Sequence, residues 1–381
     1  MNDLFFRFLR FSMNTSSLPE EDFQNINWQE LFSFAEKQAL IGVLFDGISR
    51  LPKSWAPPEA IFLHWLALYE QIRKRNGILN AEAVRICKMF LLKGWSGCIL
   101  KGQGNALLYP DVYSRMPGDI DVWLCPLSAG KGKSGLKSWM SLSGRRELIL
   151  KTVRHWTKDT QLCYHHIGFD SPKGIRIEAH FTPGVMNDFL YNCRLQKWFE
   201  RNRTEQFSHL VDLPGGVGKI AVPTADFNSI YQLAHICHHF FNEGIGLRQL
   251  MDYYYVLLDG DLKLDKAEYA EQLRYLGLYH FAGAVMYVLK EVFGLPGSQM
   301  PIPEDRKRGR IVLNEILYGG NFGKFFTKYD HFTHRNKFRK YFLKTYRNLH
   351  FLPYFPAESL SEPLFRTWQF FWRQWKQRCQ N

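Results

Sequence analysis

The sequence predicts an α+β protein: a small mixed β-sheet with helices on it, flanked by an N-terminal and a C-terminal helical region. Three observations carry this. Residues 1–90 follow mainly helical periodicity, clearest from Ile78 to Leu92. Between about 96 and 222 the pattern changes to short apolar runs punctuated by turn residues, and after Pro223 helical spacing returns and persists. The expected units are a helical region over 1–95, a mixed core over 96–222 and a second helical region over 223–381, without an internal repeat.

Each element has a local reason. Trp28 to Leu51 and Pro58 to Gly94 read as helical, separated by a turn holding Pro52, Pro57 and Pro58. Ser96 to Leu100 reads as a short buried strand. It runs into the turn Lys101-Gly102-Gln103-Gly104 and a helix start, an arrangement that offers backbone N–H groups to an anion. Ile120 to Leu124 is a second apolar strand, and 126–144 is a Gly/Ser/Lys-rich loop leading to a helix that covers the sheet. Cys163 to Phe169 and Gly174 to Phe181 read as two strands joined by the turn Asp170-Ser171-Pro172-Lys173-Gly174. Gly215-Gly216 marks a tight hairpin before Ile220-Ala221-Val222, Pro223-Thr224-Ala225-Asp226 opens a helix, and Gly294 to Asp305 breaks the helical C-terminal part.

The chemistry concentrates in Arg115-Met116-Pro117-Gly118-Asp119-Ile120-Asp121-Val122. Side chains at i and i+2 of a strand leave the same face, so Asp119 and Asp121 point together while Ile120 and Val122 turn to a core. Two such carboxylates repel unless a cation sits between them, and Mg²⁺ takes one or two carboxylates plus phosphate oxygens. By itself the triplet reads equally well as a solvated strand end. Context adds a third carboxylate: Arg176, Glu178 and His180 alternate with Ile175, Ile177 and Ala179, which places Glu178 on the polar face of its strand. Gly132-Lys133-Ser134 imitates the end of a phosphate-binding loop, but Leu127 stands where that loop needs its first glycine.

The histidines divide into two groups. Adjacent residues of a strand face opposite sides, so His165 and His166 are not expected to share a metal; His180, two residues from Glu178, is a candidate supporting partner of the metal ligands. His235, His238 and His239 have helical spacings that bring pairs onto one face, yet no Cys or carboxylate completes a zinc set beside them.

Leu100-Lys101-Gly102, Tyr109-Pro110, Arg115, Gly118-Asp119-Ile120-Asp121 and Ile177-Glu178-Ala179-His180 resemble the nucleotidyltransferase superfamily of DNA polymerase beta type. More closely, they resemble its bacterial branch usually called uncharacterised nucleotidyltransferases. The resemblance covers roughly 75–260 and is most specific over 98–124. It implies transfer of a nucleoside monophosphate from a nucleoside triphosphate to an acceptor hydroxyl, with two Mg²⁺ ions on Asp119, Asp121 and Glu178. Glu178 would also serve as general base. Lys101, Gly102, Gln103, Gly104 and Arg115 would hold the donor. It further places His235, His239, Arg248 and Asp252 at polar positions of the helical half, where they would form an interhelical network lining the acceptor side. Gly102-Gln103-Gly104 departs from the usual Gly-Ser or Gly-Gly turn, and the gap to Asp119 is longer than usual; Lys101 and Arg115 are candidate compensating cations. The alternative is that Lys101 is solvated and Arg115 pairs with a nearby acid.

Composition bounds the remainder. At 381 residues the chain buries a large core. Seven cysteines, an odd number without paired spacing, and the lack of a cleavable signal predict a reducing cytoplasm. No apolar run approaches the roughly 18 residues of a membrane span. From 301 onward Lys and Arg number 16 against 6 Asp and Glu, which supplies most of the net charge of +13. That aromatic-rich stretch reads as a nucleic-acid surface, a contact with anionic lipid, or a helical tail packed on the core with a solvated basic face. A catalytically inactive relative acting as a binding or regulatory protein through this region is the competing functional class.

Overall fold

The computed structural model describes residues 2–14, 17–127, 141–325 and 337–378. The expected phosphate-loop imitation at 132–134 lies outside them.

Four helices come first: α1 (Asn2–Met13), α2 (Trp28–Gln38), α3 (Ile41–Ile48) and α4 (Glu59–Leu91). The stretch from Trp28 to Leu51 is not continuous. Ala39 adopts a left-handed conformation with φ 58° and closes α2, its N–H donating to Glu36 O while that of Leu40 donates to Ala35 O. Such a stop is normally marked by glycine, and alanine hides it from the sequence.

The sheet follows: β1 (Trp95–Ile99), the one-turn α5 (Gln103–Ala106), β2 (Ile120–Pro126), α6 (Leu142–Trp156), β3 (Gln161–Leu162), β4 (His166–Asp170), β5 (Arg176–His180), α7 (Phe189–Arg201), α8 (Arg203–Gln206), β6 (Leu210–Leu213) and β7 (Gly218–Ala221). Among the described residues seven strands form one mixed sheet in the order β3-β4-β5-β2-β1-β7-β6. β2 pairs antiparallel with β1 and parallel with β5, and β4 pairs antiparallel with β5. The Gly215-Gly216 hairpin is present between β6 and β7, both glycines at positive φ.

Strand alternation gives the sheet two unlike faces. Ile120, Val122, Leu124, Ile167, Ile177 and Ala179 form one, covered by Leu79, Ala83, Ile86 and Phe90 of α4 and by Ile149 and Val153 of α6. Asp121, Trp123, Glu178 and His180 belong to the other. That face is closed by α9 (Ala225–Asn242), whose Phe227 stacks on Trp123.

The C-terminal part adds α10 (Leu247–Leu257), α11 (Lys266–Tyr275), α12 (Tyr279–Val288), α13 (Arg306–Gly319), α14 (Lys337–Leu349) and α15 (Pro356–Arg378). One apolar cluster joins Phe8, Leu31, Leu44 and Trp65 of the first helices to Phe240, Leu250 and Val285 of the later ones. α4 serves both cores, its first half in the helical cluster through Trp65 and Ile72 and its second half beneath the sheet. The architecture is thus the mixed sheet with helices on it and helical regions on both sides that the sequence predicts.

The basic tail packs against the body. Glu358 accepts from Asn187 Nδ2 at 2.9 Å, Arg347 Nε donates to Glu315 Oε1 at 2.5 Å, and Trp368 and Trp372 lie edge-on to Tyr164. Leu360, Leu364, Phe371 and Trp375 of α15 stay exposed on its outer side. Among the described residues no helix is long and apolar enough to cross a membrane, and the six cysteines are free.

Candidate active site

The site begins with strand register. Asp121 of β2 stands directly beside Glu178 of β5, and Trp123 beside His180. Partners in register on neighbouring strands point to one side, so the two carboxylates share the polar face. Asp119 precedes the first residue of β2 and lines a cavity with Asp121, Lys101, Gly102, Arg248 and Phe322. The acidic trio is thereby brought to one end of the sheet. Asp119 remains outside the tighter group in which ligand atoms of Asp121, Glu178 and His180 lie within 4.8 Å of one another.

Each oxygen of Asp121, which is 1% exposed, has its own counterpart. Oδ1 accepts from His180 Nε2 at 3.0 Å, and Oδ2 faces Lys101 Nζ at 3.2 Å without hydrogen-bond alignment. Burial pushes the Asp121 carboxyl up, but the Lys101 ammonium and the His180 bond outweigh it and hold it below the ordinary carboxylate range. The reverse holds for His180: burial lowers it, while Asp121 and Glu178 together raise it to about 9. Lys101 Nζ also lies 3.1 Å from His235 Nε2. Burial, then the neighbouring ammonium, drives His235 well below its usual value, so its neutral ring accepts from Lys101.

Glu178 Oε2 lies 3.3 Å from His166 Nδ1 and 3.5 Å from His180 Nε2. Burial favours its neutral form, yet these imidazoles hold it below the usual carboxylate range. The expectation that His165 and His166 face opposite ways is overturned: their rings are 4.5 Å apart, and both offer nitrogens within 4.8 Å of His180. The reason is that β4 starts at His166. β3 folds back on it with Leu162 opposite Ile167, so His165 lies in the connecting bend and escapes strand alternation.

The turn after β1 carries Gly102 at φ 67°, ψ −99°, a conformation side-chain-bearing residues do not adopt. Ala106 N–H makes the first intrahelical bond, to Gly102 O, so the N–H groups of Gln103, Gly104 and Asn105 precede it. Gly102 lines the cavity. Gln103 is buried, and a Cβ on Gly104 would meet Val222 at 2.9 Å, so these two pack inward.

Arg115 spends its guanidinium on Asp252 of α10: Nε donates to Oδ1 at 2.8 Å and Nη2 to Oδ2 at 2.7 Å. Tyr109 donates to the same Oδ1 at 2.7 Å, and Arg248 donates to Met116 O at 3.0 Å. Burial opposes the Asp252 charge, but Arg115 outweighs it and keeps the carboxyl ionised. Thus the segment 109–118 is pinned from α10. From α4 it is held by Asn76 Nδ2, which donates to Tyr113 O at 2.7 Å and Arg115 O at 2.8 Å. Sequence reasoning passed over Asn76, whose signal is a polar residue recurring with Asn80, one turn on, among the apolar positions of the buried side of α4. It also missed Gln232 and Phe322, which line the cavity. His239 pairs with Glu243 at 3.5 Å, away from the carboxylates of the sheet.

Chemically, the site joins a cavity lined by acids, cations and a glycine turn to an imidazole-rich pocket at Glu178. No curated protein and no solved structure matches the chain. The family model described as uncharacterised nucleotidyltransferase matches residues 24–294. That span includes every strand of the described residues, all three carboxylates, the Gly102 turn and α9–α10, and the chain belongs to this family of uncharacterised nucleotidyltransferases.

Proposed function

We propose that the protein transfers a nucleoside monophosphate from a nucleoside triphosphate to the hydroxyl of an acceptor, using a core of the DNA polymerase beta type. The observation that carries this is the placement of Asp121 beside Glu178 in the β2–β5 register, with Asp119 at the strand mouth and the Gly102 turn across the same cavity. The donor chemistry fits divalent cations. Asp121 Oδ2 is buried without an aligned hydrogen bond, and Asp119 and Asp121 supply the carboxylate oxygens that Mg²⁺ prefers. When bound, such ions would stabilise charge on the attacking and leaving oxygens of an in-line displacement.

The chain's own groups do the rest. Asp119 and Asp121 would hold the metals. Glu178, held ionised by its imidazole neighbours, accepts the acceptor hydroxyl proton at a carboxylate oxygen. Lys101, Arg248 and the N–H groups behind Gly102 meet the triphosphate. Arg115 acts through the backbone: clamped to Asp252, it fixes the segment that delivers Asp119. A cytoplasmic location is part of this reading, supported by the free cysteines.

The test is a thermal-shift panel of the four ribonucleoside triphosphates with Mg²⁺, on wild type and the Asp119→Asn/Asp121→Asn variant, followed by pyrophosphate release with candidate acceptors. One nucleotide should stabilise wild type, and the double variant should lose that shift. No shift with any nucleotide would overturn the reading.

A second reading has one observation in its favour. Lys101 Nζ stands 3.2 Å from Asp121 Oδ2 and neutralises that carboxylate without a metal. In this reading the core is a scaffold and the basic C-terminal region contacts nucleic acid. It requires salt-steep binding to RNA or DNA that survives loss of both aspartates.

A further inference from the structure

We propose that the end of the site around Glu178 is a binding site for a borderline transition-metal ion of the Zn²⁺ class, held by His166 and His180 together with Glu178 and Asp121. Its link to catalysis rests on the nucleotidyl-transfer reading; its existence does not.

The donor atoms converge without a Lys or Arg to compensate them at Glu178. Glu178 Oε2 faces His166 Nδ1 at 3.3 Å and His180 Nε2 at 3.5 Å, and among the described residues these imidazoles are the basic groups that approach it closely. His180 Nε2 is also 3.0 Å from Asp121 Oδ1. Two overlapping sets, Asp121/Glu178/His180 and His165/His166/His180, each bring their ligand atoms within 4.8 Å, and His180 is common to both. Nδ1 of His165 and Nδ1 of His166 are buried without an aligned hydrogen bond.

The orientation of His180 adds a separate point. Its Nδ1 lies 3.3 Å from Thr182 O. An N–H donated there, the outer-shell arrangement that metal-bound histidines commonly have, leaves Nε2 as the nitrogen that meets Asp121 and Glu178, where a metal would take the place of the proton Nε2 shares with Asp121 Oδ1.

The donor types select the ion. Mg²⁺ takes oxygen ligands and is poorly served by imidazole, whereas mixed imidazole–carboxylate sets suit Zn²⁺ and its first-row neighbours. The cavity at Asp119, Gly102 and Lys101 includes His235, but its Nε2 is taken up by Lys101 Nζ at 3.1 Å, so the two ends of the site differ in the metal they favour. The motif containing Asp119 and Asp121 does not carry this distinction; it comes from the bend at His165 and the pairing of His166 with His180.

The experiment titrates full-length, chelator-treated protein with Co²⁺ in excess Mg²⁺ and without nucleotide. It follows visible ligand-field absorption, with Zn²⁺ displacement by calorimetry. Wild type should bind Co²⁺ stoichiometrically and release it to Zn²⁺. His166→Gln and His180→Gln should each weaken binding by about 10–100-fold or more, by analogy with the effect of disturbing metal-site partners. His239→Gln should leave it unchanged. Far-ultraviolet circular dichroism in chelator checks that the variants fold, and if His180→Gln does not, His166→Gln alone decides. Absence of Co²⁺ binding by wild type in Mg²⁺, or binding that survives His166→Gln, overturns the assignment. A protein that binds Mg²⁺–nucleotide but no Co²⁺ refutes this inference alone, and one that binds Co²⁺ but no nucleotide refutes only the proposed reaction.

Discussion

Replacing Asp252 decides whether Arg115 is a clamp or a triphosphate ligand. In the folded protein both side chains are nearly inaccessible, 6% and 5% exposed, and the carboxylate takes two guanidinium bonds and the Tyr109 hydroxyl. Asp252→Ala leaves a buried guanidinium without its counter-charge, a change that typically costs about 3–5 kcal/mol. At about 2–4 °C per kcal/mol for a cooperative unit of moderate size, the midpoint should fall by on the order of 10 °C. Replacing both partners with apolar residues, Arg115→Met with Asp252→Leu, removes the stranded charge and should recover a large part of the loss. The assay is thermal and urea unfolding of the two variants and of Arg115→Met, each paired with nucleotide titration in Mg²⁺. If Arg115→Met unfolds like wild type yet loses nucleotide affinity, the guanidinium serves the ligand and the clamp reasoning is wrong.

Further outcomes follow from other contacts. Lys101→Met removes the ammonium beside Asp121 Oδ2, so in chelator the variant should lose about 1–3 kcal/mol, and added Mg²⁺ should stabilise it more than it does wild type; equal Mg²⁺ shifts in the two proteins would show that the ammonium and the metal do not compete. Burial raises Glu358 from 4.5 to about 7, so its contribution to stability is fully present below about pH 4.5 and is lost as pH rises through about 7. Glu358→Gln should flatten that fall, which is worth up to about 3 kcal/mol, in urea unfolding followed from pH 5 to pH 8 at intervals of about one unit. Two helical glycines should respond in opposite ways. A Cβ on Gly42 would lie 2.0 Å from Ser114 O, so Gly42→Ala should displace the segment leading to Asp119 and reduce both stability and Mg²⁺-dependent nucleotide binding. Gly77 has open space, so Gly77→Ala should stabilise by about 0.5–1 kcal/mol in the same unfolding assay.

What the sequence discloses about this site depends on the distance over which each feature is encoded. The Asp119-Ile120-Asp121-Val122 alternation is local, so the strand, its two faces and its acids can be read from four residues; the same applies to Glu178 between Ile177 and Ala179. Ala39 stops a helix without glycine, and that boundary is hidden even though it is local. The bend at His165 depends on a two-residue strand, β3, whose pairing is too short to leave a periodic trace. Counter-charges are less legible still. Asp121 meets Lys101 from the neighbouring turn but His180 from 59 positions away, and Arg115 meets Asp252 across 137. The order of residues therefore names the acids, while the packing of β4, α9 and α10 determines which cation each acid faces. A motif scan would assign Asp121 and Glu178 the same hard-metal role. Their surroundings separate them, since one oxygen of Asp121 faces an ammonium whereas, among the described residues, the basic groups close to Glu178 are imidazoles. The ion preference at Glu178 is thus a property of hairpin register, and a relative with the same acidic motif but a shifted β4 would keep the carboxylates and His180 of β5 and lose the His166 donor.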